Sequence, residues 1–382
     1  MKKPRIAILS PFNGTSTRGT ETFVTEITKE LRDGYDITVF SYGIAPEIKD
    51  QTQQIEKIEI PLLTLYANIY KKIELAAARK NIIPKILMKI LTLSPFFSPV
   101  TIEQYFFTRK VFTEYINGQS FDILFPNNGI WGAIFASKER ARFGRPFIYT
   151  GHGGIGKEEK MILQKNPDYY IATNVLSADW AKDFSQKVTY IPLGADIERF
   201  QTPFDIREEH RNLSRPIILC IAAFTGFKRH TLLIDAVAKM KKGTLVLIGA
   251  TGELEENIRN YCEEKIPGRY IMTQVPYNET PYYYKLSDVF TMASVGEAFG
   301  LVYLEALAAN KPIVTTNDKA RSVIVGDAGI LCDVTNADEY AAALEKAVST
   351  EWKDIPFAQV KNNFTWKIIA AKYESLLKSL IK

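Results

Sequence analysis

The chain has 382 residues, 46% hydrophobic and 24% charged, with a formal net charge of +5. That length is too great for one core and comfortable for two. No run approaches the roughly 18–20 apolar residues of a membrane span. Cys220, Cys262 and Cys332 match neither a metal spacing nor a disulfide framework.

The start, Met1-Lys-Lys-Pro-Arg, runs straight into a strand over residues 6–9 without a signal-peptide layout, so a cytoplasmic setting is expected. The loop Ser10-Pro-Phe-Asn-Gly-Thr-Ser-Thr-Arg-Gly-Thr-Glu21 leads into a helix over 20–32, and a strand over 36–41 follows. Between residues 62 and 100, Lys71, Lys72, Arg79, Lys80, Lys85 and Lys89 stand against the single acid Glu74, interleaved with Leu62, Leu65, Ile69, Ile82, Ile83, Ile86 and Ile90. Such a basic amphipathic segment suits an anionic membrane surface; it also suits a helical insertion over 62–110 packed on its own domain. Nucleic acid is disfavoured, because basic residues elsewhere are balanced by acids and no binding motif is present.

Strands over 121–125, 146–150, 169–173 and 188–191, with a helix around 131–140, complete an alternating first half. Alternation of this kind means a mostly parallel sheet covered by helices. His152, in Tyr149-Thr-Gly-His-Gly-Gly154, follows one of these strands between glycines that open backbone space around it. Pro192-Leu-Gly-Ala-Asp-Ile-Glu-Arg-Phe200 marks a boundary, and residues 201–215 carry no periodic pattern. His210 lies in a charged run and should be solvated.

The second half repeats this alternation, with strands over 216–222, 244–248 and 270–274 and helices over 229–240, 253–265 and 280–286. His230 should open the first of these helices. Next comes the most informative stretch, a strand over 288–294 and then Gly296-Glu-Ala-Phe-Gly-Leu-Val-Tyr-Leu-Glu-Ala-Leu-Ala-Ala-Asn-Lys-Pro312. Glu297 falls on the loop at the carboxyl end of a strand, where open α/β sheets bind ligands. A helix should begin near Phe299 and Gly300 and end at Asn310, with Glu305 about a turn and a half in. The amides of Gly300, Leu301 and Val302 form a positive terminus suited to phosphate. A phosphate flanked by two hydroxyl-binding carboxylates describes a nucleotide-sugar site. A last amphipathic helix covers 365–381.

This stretch resembles the retaining glycosyltransferases of family 4, whose signature is Glu, seven residues, Glu. The resemblance implies a GT-B fold: two Rossmann-like doubly wound α/β domains, 1–191 and 192–364, facing across a cleft, with 365–382 crossing back to the first. It implies that Glu297 reads the donor hexose and Glu305 the ribose, with Phe299, Gly300 and Leu301 beside the phosphates. It places Lys228 on the leaving diphosphate and His152 near the hexose. Two departures stand out. Ala223 occupies the position of the family's Arg, leaving Arg229 as a substitute cation or a solvated one. Gly19-Thr20 stands where the family has a glycine pair, so Thr20 either contacts the donor or caps its helix.

The activity implied is transfer of a hexose from a nucleotide-sugar to a glycan or lipid-linked acceptor, with no metal and no other cofactor. Neither an Asp-x-Asp motif nor a nucleophile paired with a base is present. A nucleotide-sugar epimerase and a non-catalytic nucleotide-sugar binding subunit are the alternatives.

Overall fold

Every strand pairing among the described residues is parallel, and two sheets share one winding order. The computed structural model describes residues 2–15, 19–78, 82–91, 95–249 and 252–381. It divides into a first unit, Met1–Ile191 with Ala370–Lys382, and a second, Pro192–Ile369.

In the first unit the strands are β1 (Arg5–Leu9), β2 (Asp36–Ser41), β3 (Thr52–Gln54), β4 (Ile123–Pro126), β5 (Ile148–Gly151), β6 (Tyr169–Ala172) and β7 (Val188–Tyr190). Their order is β3-β2-β1-β4 followed by β5-β6-β7, and the bridge between Leu124 and Phe147 sets β5 beside β4. Central strands such as Ile123–Pro126 are buried at every position, as parallel strands covered on both faces must be. The order reverses between β1 and β4, which makes their carboxyl ends the switch point of this sheet.

The second unit contains β8 (Ile217–Ile221), β9 (Thr244–Ile248), β10 (Tyr270–Thr273), β11 (Val289–Met292), β12 (Ile313–Thr316) and β13 (Gly329–Cys332). Their order, β10-β9-β8-β11-β12-β13, puts the switch point between β8 and β11. Helices Lys319–Val325, Ala337–Ser349 and Ile355–Asn363 fill the stretch after β12 that the sequence pattern left unassigned.

The final helix, Trp366–Leu380, buries Trp366, Ile369, Tyr373, Leu376 and Leu377, a stripe at helical spacing. Its residues from Ala370 onward cluster with the first unit. There Tyr373 stacks on Phe125 and its hydroxyl meets Thr150 Oγ1 at 2.9 Å.

Residues 62–110, expected as one insertion, contain two kinds of helix. Pro99–Lys110, capped by Ser98 Oγ on the Thr101 amide at 3.1 Å, buries Thr101, Gln104, Phe107 and Thr108 and belongs to the core. Pro61–Ala78 and Ile82–Leu91 lie at the surface, and the second of these buries no residue at all. Ile82, Ile83, Ile86 and Ile90 are 74%, 80%, 55% and 54% exposed, and Leu62, Leu65 and Ile69 are also open. On a helical wheel Ile82, Ile86, Ile90, Ile83 and Leu87 form one continuous arc, with Lys85 and Lys89 along its edge. Of the six basic residues, Arg79 and Lys80 lie outside the described residues.

Candidate functional site

The end of β11 carries the loop that the sequence singled out. Gly296 has φ 69° and Gly300 has φ 88°, so both occupy left-handed backbone that glycine tolerates. A Cβ on Gly300 would also sit 2.8 Å from the Tyr303 ring. The helix that follows is Leu301–Ala308, opened by Gly300 and closed short of Asn310, itself left-handed at φ 56°. Phe299 is buried and fixes the turn between Glu297 and the helix. This helix terminus presents the amides of Leu301 and Val302 at the carboxyl edge of the sheet.

Lys228 arrives from the neighbouring strand. After β8 the chain makes a tight turn, Gly226–Lys228, and the Val295 amide donates to the Phe227 carbonyl at 2.9 Å, stitching the two loops together. Lys228 Nζ then donates to Glu297 Oε2 at 2.5 Å, both side chains being largely withdrawn from solvent. The two residues read separately in the sequence are thus one ion pair at the β8/β11 switch point.

Arg229 points neither beside Lys228 nor to solvent. It is left-handed at φ 50°, and its guanidinium donates to the Ala293 carbonyl at 2.6 Å and to the Ser294 carbonyl and Thr316 Oγ1 at 3.3 Å. Its charge therefore anchors the end of β11. A second arginine, unsuspected from the sequence, does the same from the other side. Arg321 is buried and donates to the Ser294 carbonyl and Oγ, to Tyr303 Oη and to Asp318.

Glu305 is 8% exposed. Its Oε1 accepts from Tyr277 at 3.2 Å and its Oε2 from Tyr284 at 2.7 Å. Burial raises its carboxyl above the ordinary range, while Tyr284, Arg199 and Tyr277 oppose the shift. Each carboxylate oxygen has a second lone pair, so further hydroxyl donors can still be accepted. Arg199 lies 3.6 Å from the Tyr277 ring centroid and fixes that tyrosine. Neither tyrosine side chain was legible as a partner of Glu305, because each comes from the segment 277–284, far from Glu305 in sequence.

His230 opens its helix, His230–Lys239, as the pattern implied; it is buried, and burial holds its imidazole down to about 4. His210 is not solvated: its Nδ1 meets Tyr282 Oη at 2.7 Å, and only 8% of the residue is exposed. The apolar and aromatic residues of 280–286 cover it.

The remaining expected residues belong to the first unit. Gly19 and Thr20 begin the helix Gly19–Leu31, so Thr20 sits inside its first turn rather than capping it. Residues 16–18 before it are outside the described residues. His152 follows β5, packs its ring 5.0 Å from Phe23, and places Nε2 3.1 Å from Asn127 Oδ1. Burial holds its imidazole down to about 3, so the ring is neutral at physiological pH. Glu159 ties down the same loop, with Oε1 on the Gly153 amide at 3.1 Å and Oε2 on Tyr170 Oη at 2.7 Å. Burial pushes its carboxyl up to about 7.

Among the described residues no group of three or more His, Cys, Asp or Glu is placed to hold a metal ion. No helix among them is long and apolar enough to cross a membrane.

Residues 201–363 match the family of glycosyl transferases group 1. The chain is 26% identical over 178 residues to a GDP-mannose-dependent phosphatidylinositol monomannoside mannosyltransferase of Mycolicibacterium smegmatis, a match covering 42% of this chain and 47% of that protein. It is 28% identical to a D-inositol 3-phosphate glycosyltransferase of Corynebacterium diphtheriae, over 50% of each. The chain thus spans about half the length of the curated relatives it matches. Its fold is that of sucrose-phosphate synthase from Thermosynechococcus elongatus, with a TM-score of 0.71 over 99% of both chains at 18% identity. The two Rossmann-like units are of GT-B type, and the segment that matches the glycosyl transferases group 1 family, residues 201–363, carries the loops at the second switch point.

Proposed function

We propose that the protein is a retaining glycosyltransferase that moves a hexose from a nucleotide-sugar to a glycan or lipid-linked acceptor without a metal ion. The observation that carries this reading is the Lys228–Glu297 pair held at the β8/β11 switch point. In the reaction the bond between the sugar's anomeric carbon and the phosphate oxygen breaks, and a bond to the acceptor oxygen forms on the same face. The acceptor's proton passes to a leaving-phosphate oxygen, so no separate base is required. Negative charge grows on the diphosphate, and the Lys228 ammonium with the helix amides at Leu301 and Val302 stabilises it. Glu297 accepts from hexose hydroxyls and Glu305 from ribose hydroxyls, while Tyr277 and Tyr284 orient Glu305. Arg229 and Arg321 act through the loop that they anchor.

A panel of nucleotide-sugars tests the reading. Slow donor hydrolysis or transfer to an added acceptor, with retained anomeric configuration by NMR and activity that survives EDTA, supports it. A new sugar epimer, or binding without turnover, replaces it.

The two surface helices bear on the acceptor. An apolar arc edged by lysines is the chemistry of a segment lying in the headgroup region of an anionic leaflet. We infer that Pro61–Ala78 and Ile82–Leu91 dock the enzyme on the cytoplasmic face of a membrane, where a lipid-linked acceptor would be met.

A further inference from the structure

Two consecutive acids of the first unit are withdrawn from solvent with no cation to meet them. Glu158 and Glu159 lie in the first turn of the helix Lys157–Leu163, and neither carboxyl has a cation against it among the described residues. Glu159 is buried, and the ionisable groups that face it are Glu158, Tyr149 and Tyr170. Burial without a counter-charge raises both carboxyls. Burying such a group costs stability, so its hydrogen bonds show what it is kept for.

Those bonds run to two loops. Glu158 Oε1 accepts from the Ile130 amide at 3.1 Å and so caps the helix Ile130–Phe143, for which Gly129 offers no side-chain cap. Glu159 Oε1 accepts from the Gly153 amide at 3.1 Å, and its Oε2 accepts from the Tyr170 hydroxyl at 2.7 Å. One short helix therefore grips the loop after β4 with one acid and the loop after β5 with the next. The contact between His152 Nε2 and Asn127 Oδ1 joins the same two loops. With the ring neutral, Nε2 donates there and Nδ1 is left as the free acceptor.

The glycines on either side of His152 belong to this arrangement. A Cβ on Gly153 would stand 2.9 Å from Glu159 Oε1, and one on Gly151 would run into the Tyr170 hydroxyl. The backbone space that the sequence opens around His152 is taken up by Glu159 and Tyr170.

We propose that Glu159 is a positioning residue for the reaction: with Tyr170, and with Glu158 on the neighbouring loop, it holds the β4 and β5 loops together so that His152 meets substrate in one orientation and one tautomer. That His152 meets substrate rests on the glycosyltransferase reading; the clamp on its loop does not.

The chain has three histidines, His152, His210 and His230, so their ring resonances can be followed singly. The test uses the full chain with isotope-labelled histidine, read by NMR from about pH 5 to 8, beside turnover of the nucleotide-sugar that the parent accepts. In the parent, His152 should stay neutral and protonated on Nε2 throughout. Glu159→Ala should release it, so that its titration moves up toward the ordinary 6.5 while His210 and His230 keep their signals. The same variant should lose about ten- to a hundredfold in kcat, with nucleoside diphosphate affinity unchanged. Glu159→Gln, which keeps an acceptor for the Gly153 amide, should restore both readouts. Should Glu159→Ala fail to fold, Tyr170→Phe decides, because it removes one anchor of the carboxyl and fills the same space; the same upward move and a fall in kcat are expected there. An unmoved His152 signal or parental kcat in the folded deciding variant overturns the proposal, as does a loss in Glu159→Gln equal to that in Glu159→Ala. A protein in which substitution releases His152 but whose parent turns over no nucleotide-sugar keeps the clamp and sinks the glycosyltransferase reading instead.

Discussion

Lys228 and Glu297 lie on loops after different strands, 69 residues apart in sequence, and meet as an ion pair with Nζ 2.5 Å from Oε2. Pairing largely out of solvent fixes the direction of both charges before any substrate arrives. A group already oriented contributes more to a developing charge than one that must be ordered during the reaction.

Lys228→Ala should lower kcat by about a hundred- to a thousandfold, as loss of one charge-stabilising donor does. Affinity for the free nucleoside should change little. Because each residue orients the other, the double variant should lose less than the sum of the Glu297→Gln and Lys228→Ala effects. Parental turnover at saturating donor in Lys228→Ala would remove the leaving-group role.

Glu305→Ala should weaken donor binding roughly ten- to a hundredfold, the worth of a charge-assisted hydrogen bond. Tyr284→Phe should give a smaller loss in the same direction, since it frees Glu305 Oε2 to turn. Isothermal titration with the donor nucleotide reads both. Unchanged affinity in a folded Glu305→Ala protein would end the ribose assignment.

Glu159 gives a pH signature. Its folded carboxyl sits at about 7, above the 4.5 of an unperturbed glutamate, because it is buried. The acid form favours folding, so this contribution is complete below about pH 4.5 and is lost as pH rises toward 7. The loss amounts to about 3 kcal/mol at most. His152 and His230, whose values are lowered, act oppositely, but Glu159→Gln retains both. The stability of the parent relative to Glu159→Gln, from urea melts between about pH 4.5 and 7.5, should therefore fall with rising pH. A flat difference would show that Glu159 ionises normally.

Vesicle sedimentation reads the surface helices. Each lysine near an anionic leaflet contributes about 1 kcal/mol, screened beyond about 8 Å at physiological salt. Binding should be strong on anionic vesicles at low salt and fall at high salt. It should weaken further when Lys71, Lys72, Lys85 and Lys89 are replaced by Gln, or Ile83 and Ile86 by Ser. Indifference to lipid charge and to both sets of substitutions would favour a soluble glycan acceptor.

Local features were legible directly in the amino-acid sequence. Apolar runs of strand length alternating with helical periodicity specified parallel sheets, and Gly296, Gly300 and Asn310 marked where the signature loop turns and its helix stops. The spacing of Glu297 and Glu305 needs only one loop and one helix, so it could be read directly. Packing settled what depends on neighbours distant in the chain. Arg229 turned from a free cation into an anchor because Ala293, Ser294 and Thr316 converge on it from two other strands. His210 became buried because Tyr282 reached it, and Glu305 gained two phenolic donors from 277–284. Phe107 went to the core while Ile83 and Ile86 stayed in water, although all three lie in segments of helical pattern. Periodicity shows that a helix has an apolar face; only the packed chain decides whether another element covers it.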